Sequence, residues 1–69
     1  MVAFEIETTG RQDGSWGYLI HRYEKGRGYG TVYLGEFMHG GGHPDCDSAF
    51  EAGRRALDLM FGAGGWEFA

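Results

Sequence analysis

The stretch from Trp16 to His39 is the feature that most constrains how this chain can fold. It contains two runs of strand-forming residues that flank a glycine-rich tip, Gly26-Arg27-Gly28, and this arrangement predicts a β-hairpin. Aromatic residues recur on both arms of the hairpin: Trp16, Tyr18, Tyr23, Tyr29, Tyr33 and Phe37. One short helix can cover only part of this apolar surface, so the remainder predicts an interaction site.

A further strand is predicted in front of the hairpin. Residues 2–9 alternate between apolar and mostly charged side chains, which is the period-two pattern of a half-buried strand. The side predicted to face the core holds Val2, Phe4, Ile6 and Thr8. Residues 10–15 contain Asp-Gly and predict a turn. The hairpin arms then give strands at about 16–25 and 29–39.

The sequence leaves open which face of the hairpin packs against a helix. The aliphatic residues are the preferred set for the helix-facing side, and they are Leu19, Val32, Leu34 and Met38. The aromatic set would then point outward. A β-bulge at Gly30 or Gly35 would exchange the two faces locally, because one extra residue inverts the alternation.

A C-terminal helix is predicted at about 48–61. Ser48 followed by Glu51 matches a capping box, and Gly62 is a suitable C-terminal stop. The predicted buried stripe of this helix consists of Phe50, Gly53, Leu57 and Met60 or Phe61. The tail, residues 62–69, is expected to return over apolar surface and could add a short fourth strand. The predicted fold is therefore one α+β domain over residues 1–69, a three-stranded antiparallel β-meander with a helix packed on one face.

Composition limits the functions that the chain can perform. Ten carboxylates against six basic residues give a net charge of −4, which disfavours nucleic acid as a partner of the whole domain. The lone cysteine, Cys46, excludes an internal disulfide and fits a reducing compartment. No apolar run has the length of a signal peptide core or a membrane span, so a cytoplasmic protein is expected.

Metal-ligand residue types are concentrated between the hairpin and the helix. They are His39, His43, Asp45, Cys46 and Asp47. A structural zinc site normally has four ligands with paired Cys or His spacings, and this segment has one cysteine and two histidines separated by three glycines. A nucleophilic pair of Cys46 with a nearby histidine is the remaining catalytic option. We expect no metal, no cofactor and no enzymatic activity.

The segment RGYGTVYL, residues 27–34, resembles the RNA-contacting motif on the third strand of RNA-recognition-motif domains. Arg27, Gly28, Tyr29, Gly30 and Val32 match that motif. Thr31 takes the place of an aromatic residue on which a base would stack, and Leu34 also departs from the pattern. That family places a helix between its first two strands, where this chain has a six-residue turn. These departures count against binding in that family's mode. The alternative function is a small nucleic-acid-binding domain that uses the basic aromatic hairpin 16–39, with Arg22, Lys25 and Arg27 as its basic residues.

In overall character the chain resembles the small phage-encoded inhibitors called anti-CRISPR proteins. The resemblance lies in its small size, acidic balance, lone cysteine and sheet-plus-helix pattern, with no shared motif. It implies an inhibitor that blocks a bacterial CRISPR effector complex in the host cytoplasm. The predicted partner-binding residues are Tyr18, Arg22, Arg27, Tyr29, Tyr33 and Phe37, and the predicted acidic rim is Glu36, Asp45, Asp47 and Glu51. A homodimer through the aromatic face is the third alternative.

Overall fold

The computed structural model confirms the predicted α+β fold: three antiparallel strands form one open sheet, and one helix follows them. It describes residues 1–26, 28 and 30–69, and the strand order is the same as the chain order. The elements are β1 (Val2–Gly10), β2 (Trp16–Gly26), β3 (Gly30–His43) and α1 (Cys46–Phe61).

The third strand is longer than predicted. It extends to His43 instead of residue 39, because the glycine-rich segment Gly40–Gly42 continues the pairing with β2. Tyr18 pairs with Gly40, and a side chain at Gly40 would collide with the Tyr18 ring. The glycines therefore permit close packing of a strand rather than forming the flexible link that their composition suggests.

The helix begins earlier than predicted. Its N-cap is Asp45, whose side chain accepts a hydrogen bond of 2.7 Å from the backbone N–H of Ser48. Ser48 is therefore the third residue of the helix and not its cap, so the predicted Ser48–Glu51 capping box is wrong. Asp45 and Ser48 are three residues apart, which is the spacing between an N-cap side chain and a backbone N–H that donates to it. Aspartate is at least as good an N-cap residue as serine.

The core lies between α1 and one side of the sheet, where Leu57 of the helix packs with Phe4 and Ile20 of the strands. Phe4 and Ile6 point to this side, as predicted for β1. Ile6 pairs in register with Ile20, and Ile20 pairs with Met38. Antiparallel partners share a face, so this ladder places one apolar side chain from each strand under the helix.

The preferred assignment of the hairpin faces is wrong for Tyr18 and Leu19, although Met38 packs against the core as predicted. Tyr18 packs against the core because its register partner is Thr8, which lies on the same side as Ile6. Leu19 pairs with Glu7 on the opposite side. The alternation of β1 fixes the core side, and pairing transmits that choice to β2, whatever the size of the β2 side chains.

The buried stripe of α1 consists of Ala49, Gly53 and Leu57. Gly53 was expected in this stripe, and the structure gives the reason for it: a Cβ atom there would lie 3.0 Å from Ile6 Cγ2 and 3.4 Å from the Tyr18 ring. Small residues at 49 and 53 let the helix approach the sheet closely. Met60 and Phe61, which the predicted stripe also included, are largely exposed.

The tail returns over the sheet, as predicted, although it does not form a fourth strand. It makes one parallel bridge beside β1, in which Phe4 N–H donates to Glu67 O at 2.9 Å and Ala69 N–H donates to Phe4 O at 2.8 Å. Trp66 packs on the core, and its indole N–H donates to Asp58 at 2.7 Å. The tail thus occupies part of the free edge of β1.

Core packing gives a direct stability prediction with an internal control. Leu57 is fully buried and Leu59, on the same helix, is 82% exposed. We expect Leu57→Ala to lower the free energy of unfolding by about 2–5 kcal/mol, because it removes buried methyl groups and leaves a cavity. Leu59→Ala should change it by about 0.5 kcal/mol or less. Urea denaturation of both variants measures the difference, and equal losses would contradict this packing.

The N-cap gives a prediction about pH. The hydrogen bonds from the backbone and side chain of Ser48 hold the pKa of Asp45 below its ordinary value of 3.8. A depressed folded-state pKa means that the charged cap stabilises the fold above the unfolded value and loses its effect as the pH falls through the folded value. The stability difference between the wild type and Asp45→Ala should therefore shrink below pH 3.8. Urea denaturation at a series of acidic pH values would show a constant difference if the cap were unimportant.

Candidate interaction surface

Two of the three register shifts in the β2–β3 pair divide the predicted aromatic surface. Moving along β2 from Ile20 to His21, the partner in β3 changes from Met38 to Glu36, and this step leaves Phe37 without a partner. The next shift leaves Leu34 unpaired between Tyr33 and Gly35. Each shift inverts the alternation of β3. Tyr33 and Phe37 therefore lie on opposite faces, although both have odd numbers in one strand.

The predicted partner-binding residues consequently do not form one surface. Tyr18 and Phe37 pack against the core beneath α1. Arg22 lies on the same side, with its guanidinium carbon 5.7 Å from the centre of the Phe37 ring. Tyr33 lies on the other side of the sheet. Arg27 and Tyr29 fall outside the described residues.

The sheet face opposite α1, called the open face below, has its own polar and aromatic arrangement. Its members include Glu5, Glu7, Leu19, His21, Tyr23, Tyr33 and Glu36. Neither α1 nor the described tail lies over this face, because both pack on the core side or along the edge of β1. In the described part of the chain, no other element therefore covers the open face.

His21 is the centre of the open face. Its Nε2 lies 2.8 Å from Glu7 Oε1 and its Nδ1 lies 2.9 Å from the Tyr33 hydroxyl. A carboxylate only accepts hydrogen bonds, so Nε2 carries a proton and donates to Glu7. In the neutral ring, Nδ1 then accepts from the Tyr33 hydroxyl. These two bonds fix the orientation of both rings.

Tyr23 extends this network. Its hydroxyl donates to Glu5 at 3.1 Å, and its ring centre is 5.2 Å from that of Tyr33. Partial desolvation on the sheet raises the pKa of Tyr23 above its usual value of 10.0, and the hydrogen bond to Glu5 and the negative charge of that carboxylate raise it further. Tyr23 therefore remains a neutral hydrogen-bonding group on this face.

An exposed apolar run lies in β3, with Tyr33 on the open face and Val32, whose register partner is Glu24, on the helix side. Val32, Tyr33 and Leu34 are consecutive in β3 and are 54%, 53% and 44% exposed. They belong to the strand at the edge of the sheet that is not covered by the tail. Such a run on an edge strand is an unusual amount of exposed apolar surface for so small a chain.

The predicted acidic rim is also divided. Glu36 pairs in register with His21 and so belongs to the open face. Asp45 caps the helix, and Asp47 and Glu51 follow it on the first turns. Asp47 and Glu51 line a shallow cleft of about 380 Å³ together with Arg55. This cleft lies at the start of the helix, away from the open face.

The segment rich in metal-ligand residues does not assemble into a metal site. Within residues 1–26, 28 and 30–69, no group of three or more His, Cys, Asp or Glu side chains is close enough to hold an ion. Cys46 lies in the first turn of α1, and its Sγ is 3.1 Å from Thr8 Oγ1. This contact joins the start of the helix to β1.

None of the helices in the described part of the chain is long and apolar enough to cross a membrane.

Five residues of the open face were not identified as site residues from sequence: Glu5, Glu7, Leu19, His21 and Tyr23. The signal for them was present, because Glu5 and Glu7 alternate with the core residues of β1 and must point away from the helix. His21 and Tyr23 share the corresponding side of β2. The preference for an aliphatic helix-facing side concealed this correspondence.

The open face offers hydroxyl groups, carboxylates and aromatic rings in fixed positions, which suits recognition better than covalent chemistry.

No family model, no curated protein and no solved structure matches this chain. Its geometry is consequently the basis for any functional proposal.

The orientation of His21 gives a prediction for NMR. At a pH where the ring is neutral, long-range ¹H–¹⁵N spectra should show the Nε2–H tautomer, because Glu7 requires a donor at that atom. Tyr33→Phe removes the partner of Nδ1 and should leave the tautomer unchanged. A predominant Nδ1–H form in the wild type would contradict the network.

Proposed function

We propose that this protein is a non-enzymatic binding module that occupies the surface of a protein partner through its open face. The observation that supports this most strongly is the cluster of Tyr23, Tyr33 and His21, which is held in place by Glu5 and Glu7 beside exposed apolar residues. Tyrosines with fixed rings lose little conformational entropy on binding and are enriched among the residues that dominate interface energies.

Charge favours a protein partner over a nucleic acid. The open face carries the carboxylates Glu5, Glu7 and Glu36, which would repel a phosphate backbone. Of the basic residues predicted to support nucleic-acid binding, Arg22 lies on the helix side, and Lys25 Nζ is 4.0 Å from a Glu67 carboxylate oxygen. A partner surface with apolar and basic groups would complement this face.

The specific form of the proposal is an inhibitor of a bacterial CRISPR effector complex, as the resemblance to anti-CRISPR proteins implies. A small rigid protein can block a much larger complex when it covers a site that the complex needs for its activity. The preorganised Tyr33–His21–Glu7 network supports this mode, because binding would require little rearrangement of the inhibitor.

The test is capture of the partner from a lysate of the native host by immobilised wild type, with identification by mass spectrometry and affinity measurement on the purified partner. We expect Tyr33→Asp to weaken binding by roughly 30-fold or more, because it replaces an exposed aromatic ring of the open face with a charge. Leu59→Asp is the matched control: Leu59 is also exposed, lies on α1, and should tolerate the same substitution without loss of affinity.

The outcomes separate the alternatives. A partner retained equally by the wild type and Tyr33→Asp would contradict the open-face proposal. Capture of a CRISPR effector subunit would support the inhibitor form, and inhibition of its DNA binding would establish it. Retention of single-stranded RNA at low salt, lost on charge reversal of Lys25, would favour the alternative nucleic-acid function instead. Sedimentation at micromolar concentration would detect a homodimer.

A further inference from the structure

The helix side of the sheet contains a small aromatic groove that the proposed function does not use. It lies where the end of α1 diverges from β3 and has a volume of about 290 Å³. Three phenylalanines form one wall, with ring centres 5.3 Å apart for Phe4 and Phe37, 5.4 Å for Phe4 and Phe61, and 6.0 Å for Phe37 and Phe61. Trp66 lines the opposite side.

Arg22 places a positive charge in this groove. Its guanidinium lies beside Phe37, and its Nε atom is buried with no hydrogen-bond partner in the structure. The ion pairs of the described residues involve other cations: the amino terminus, His21, Lys25 and Arg54. A cation that is partly removed from water normally has an anion beside it, and the described chain supplies none here.

The walls of the groove are fixed. The Trp66 indole is held by its hydrogen bond to Asp58, so Asp58 is committed to that contact. Phe4 is almost fully buried and pairs in register with Arg22, and Phe61 is the one phenylalanine of the wall that is substantially exposed. On the other side of Arg22, its register partner Gly35 leaves open space where a side chain would stand.

We propose that this groove binds a small aromatic carboxylate with one ring. The ring would pack among Phe37, Phe61 and Trp66, and the carboxylate would neutralise the exposed part of the Arg22 guanidinium. Planar guanidinium groups match carboxylates geometrically, and the surrounding low polarity strengthens the pair. The volume lies at the lower end of the range for ligand sites and therefore fits one ring rather than a larger molecule.

Titration with 3-phenylpropionate, followed in ¹H–¹⁵N spectra, tests this proposal. We expect saturable shifts at the Trp66 indole N–H and at the Phe61 amide. The neutral 3-phenylpropionamide should bind at least about tenfold more weakly, because it cannot form the charged pair. The Arg22→Gln variant should bind 3-phenylpropionate more weakly than the wild type by a similar factor. Arg55→Gln, which changes an arginine in a different cleft, should bind as the wild type does.

Three results of these titrations would overturn the proposal. Equal binding of acid and amide would show that Arg22 does not recognise the charge, and this comparison needs only the wild type, so it stands even if Arg22→Gln unfolds. No saturable shift at millimolar acid would remove the site. A short peptide ending in a phenylalanine with a free carboxylate, binding where the free acid does not, would assign the groove to a protein C-terminus. The groove and the open face lie on opposite sides of the sheet, so Tyr33→Asp should leave the titration unchanged.

Discussion

The row Ile6, Ile20 and Met38, one residue from each strand, is the contact on which the rest of the structure depends. It sets which side of the sheet is apolar, and α1 covers that side with the narrow stripe of Ala49, Gly53 and Leu57. The small residues bring the helix close enough for Leu57 to fill the space above Phe4 and Ile20. A domain of this size has a small core, so few other contacts could replace this one.

The helix is too short to cover what the strands expose. Sixteen helical residues span about 24 Å, whereas the fourteen residues of the bulged strand β3 extend for roughly 40 Å. The molecule is accordingly elongated, 43 × 24 × 15 Å, and the hairpin extends beyond the helix. The hydrogen-bond network of the open face and the C-terminal tail occupy part of the sheet surface that the helix does not reach. His21 and Tyr23 satisfy their polar atoms with Glu7 and Glu5 on one side, and Trp66 packs on the other.

The fold and the location of the first strand could be predicted because they depend on local pattern. The alternation through Phe4 and Ile6 and the glycine tip of the hairpin each allow few alternatives. The helix start could not be placed as well, since Asp45 and Ser48 are both good caps and the choice depends on where the helix meets the sheet, at Cys46 and Thr8. The composition of the site was predictable only in part. Tyr33 was identified correctly as an outward-facing residue. Tyr18 was assigned to the same side because aliphatic residues were preferred beneath the helix, and Phe37 because simple alternation does not anticipate the bulges of β3.

The bulges have a consequence for how such a chain can change. Leu34 and Phe37 are extra residues between paired ones, so each bulge can lose its residue without disturbing the pairs on either side of it. Deletion of Leu34 would leave Gly35 opposite Arg22 and Tyr33 opposite Tyr23, and Tyr33 would stay on the open face. A one-residue deletion far from a bulge would instead turn the following segment of β3 to the other face of the sheet, so the bulges are the places where this strand tolerates a change of length.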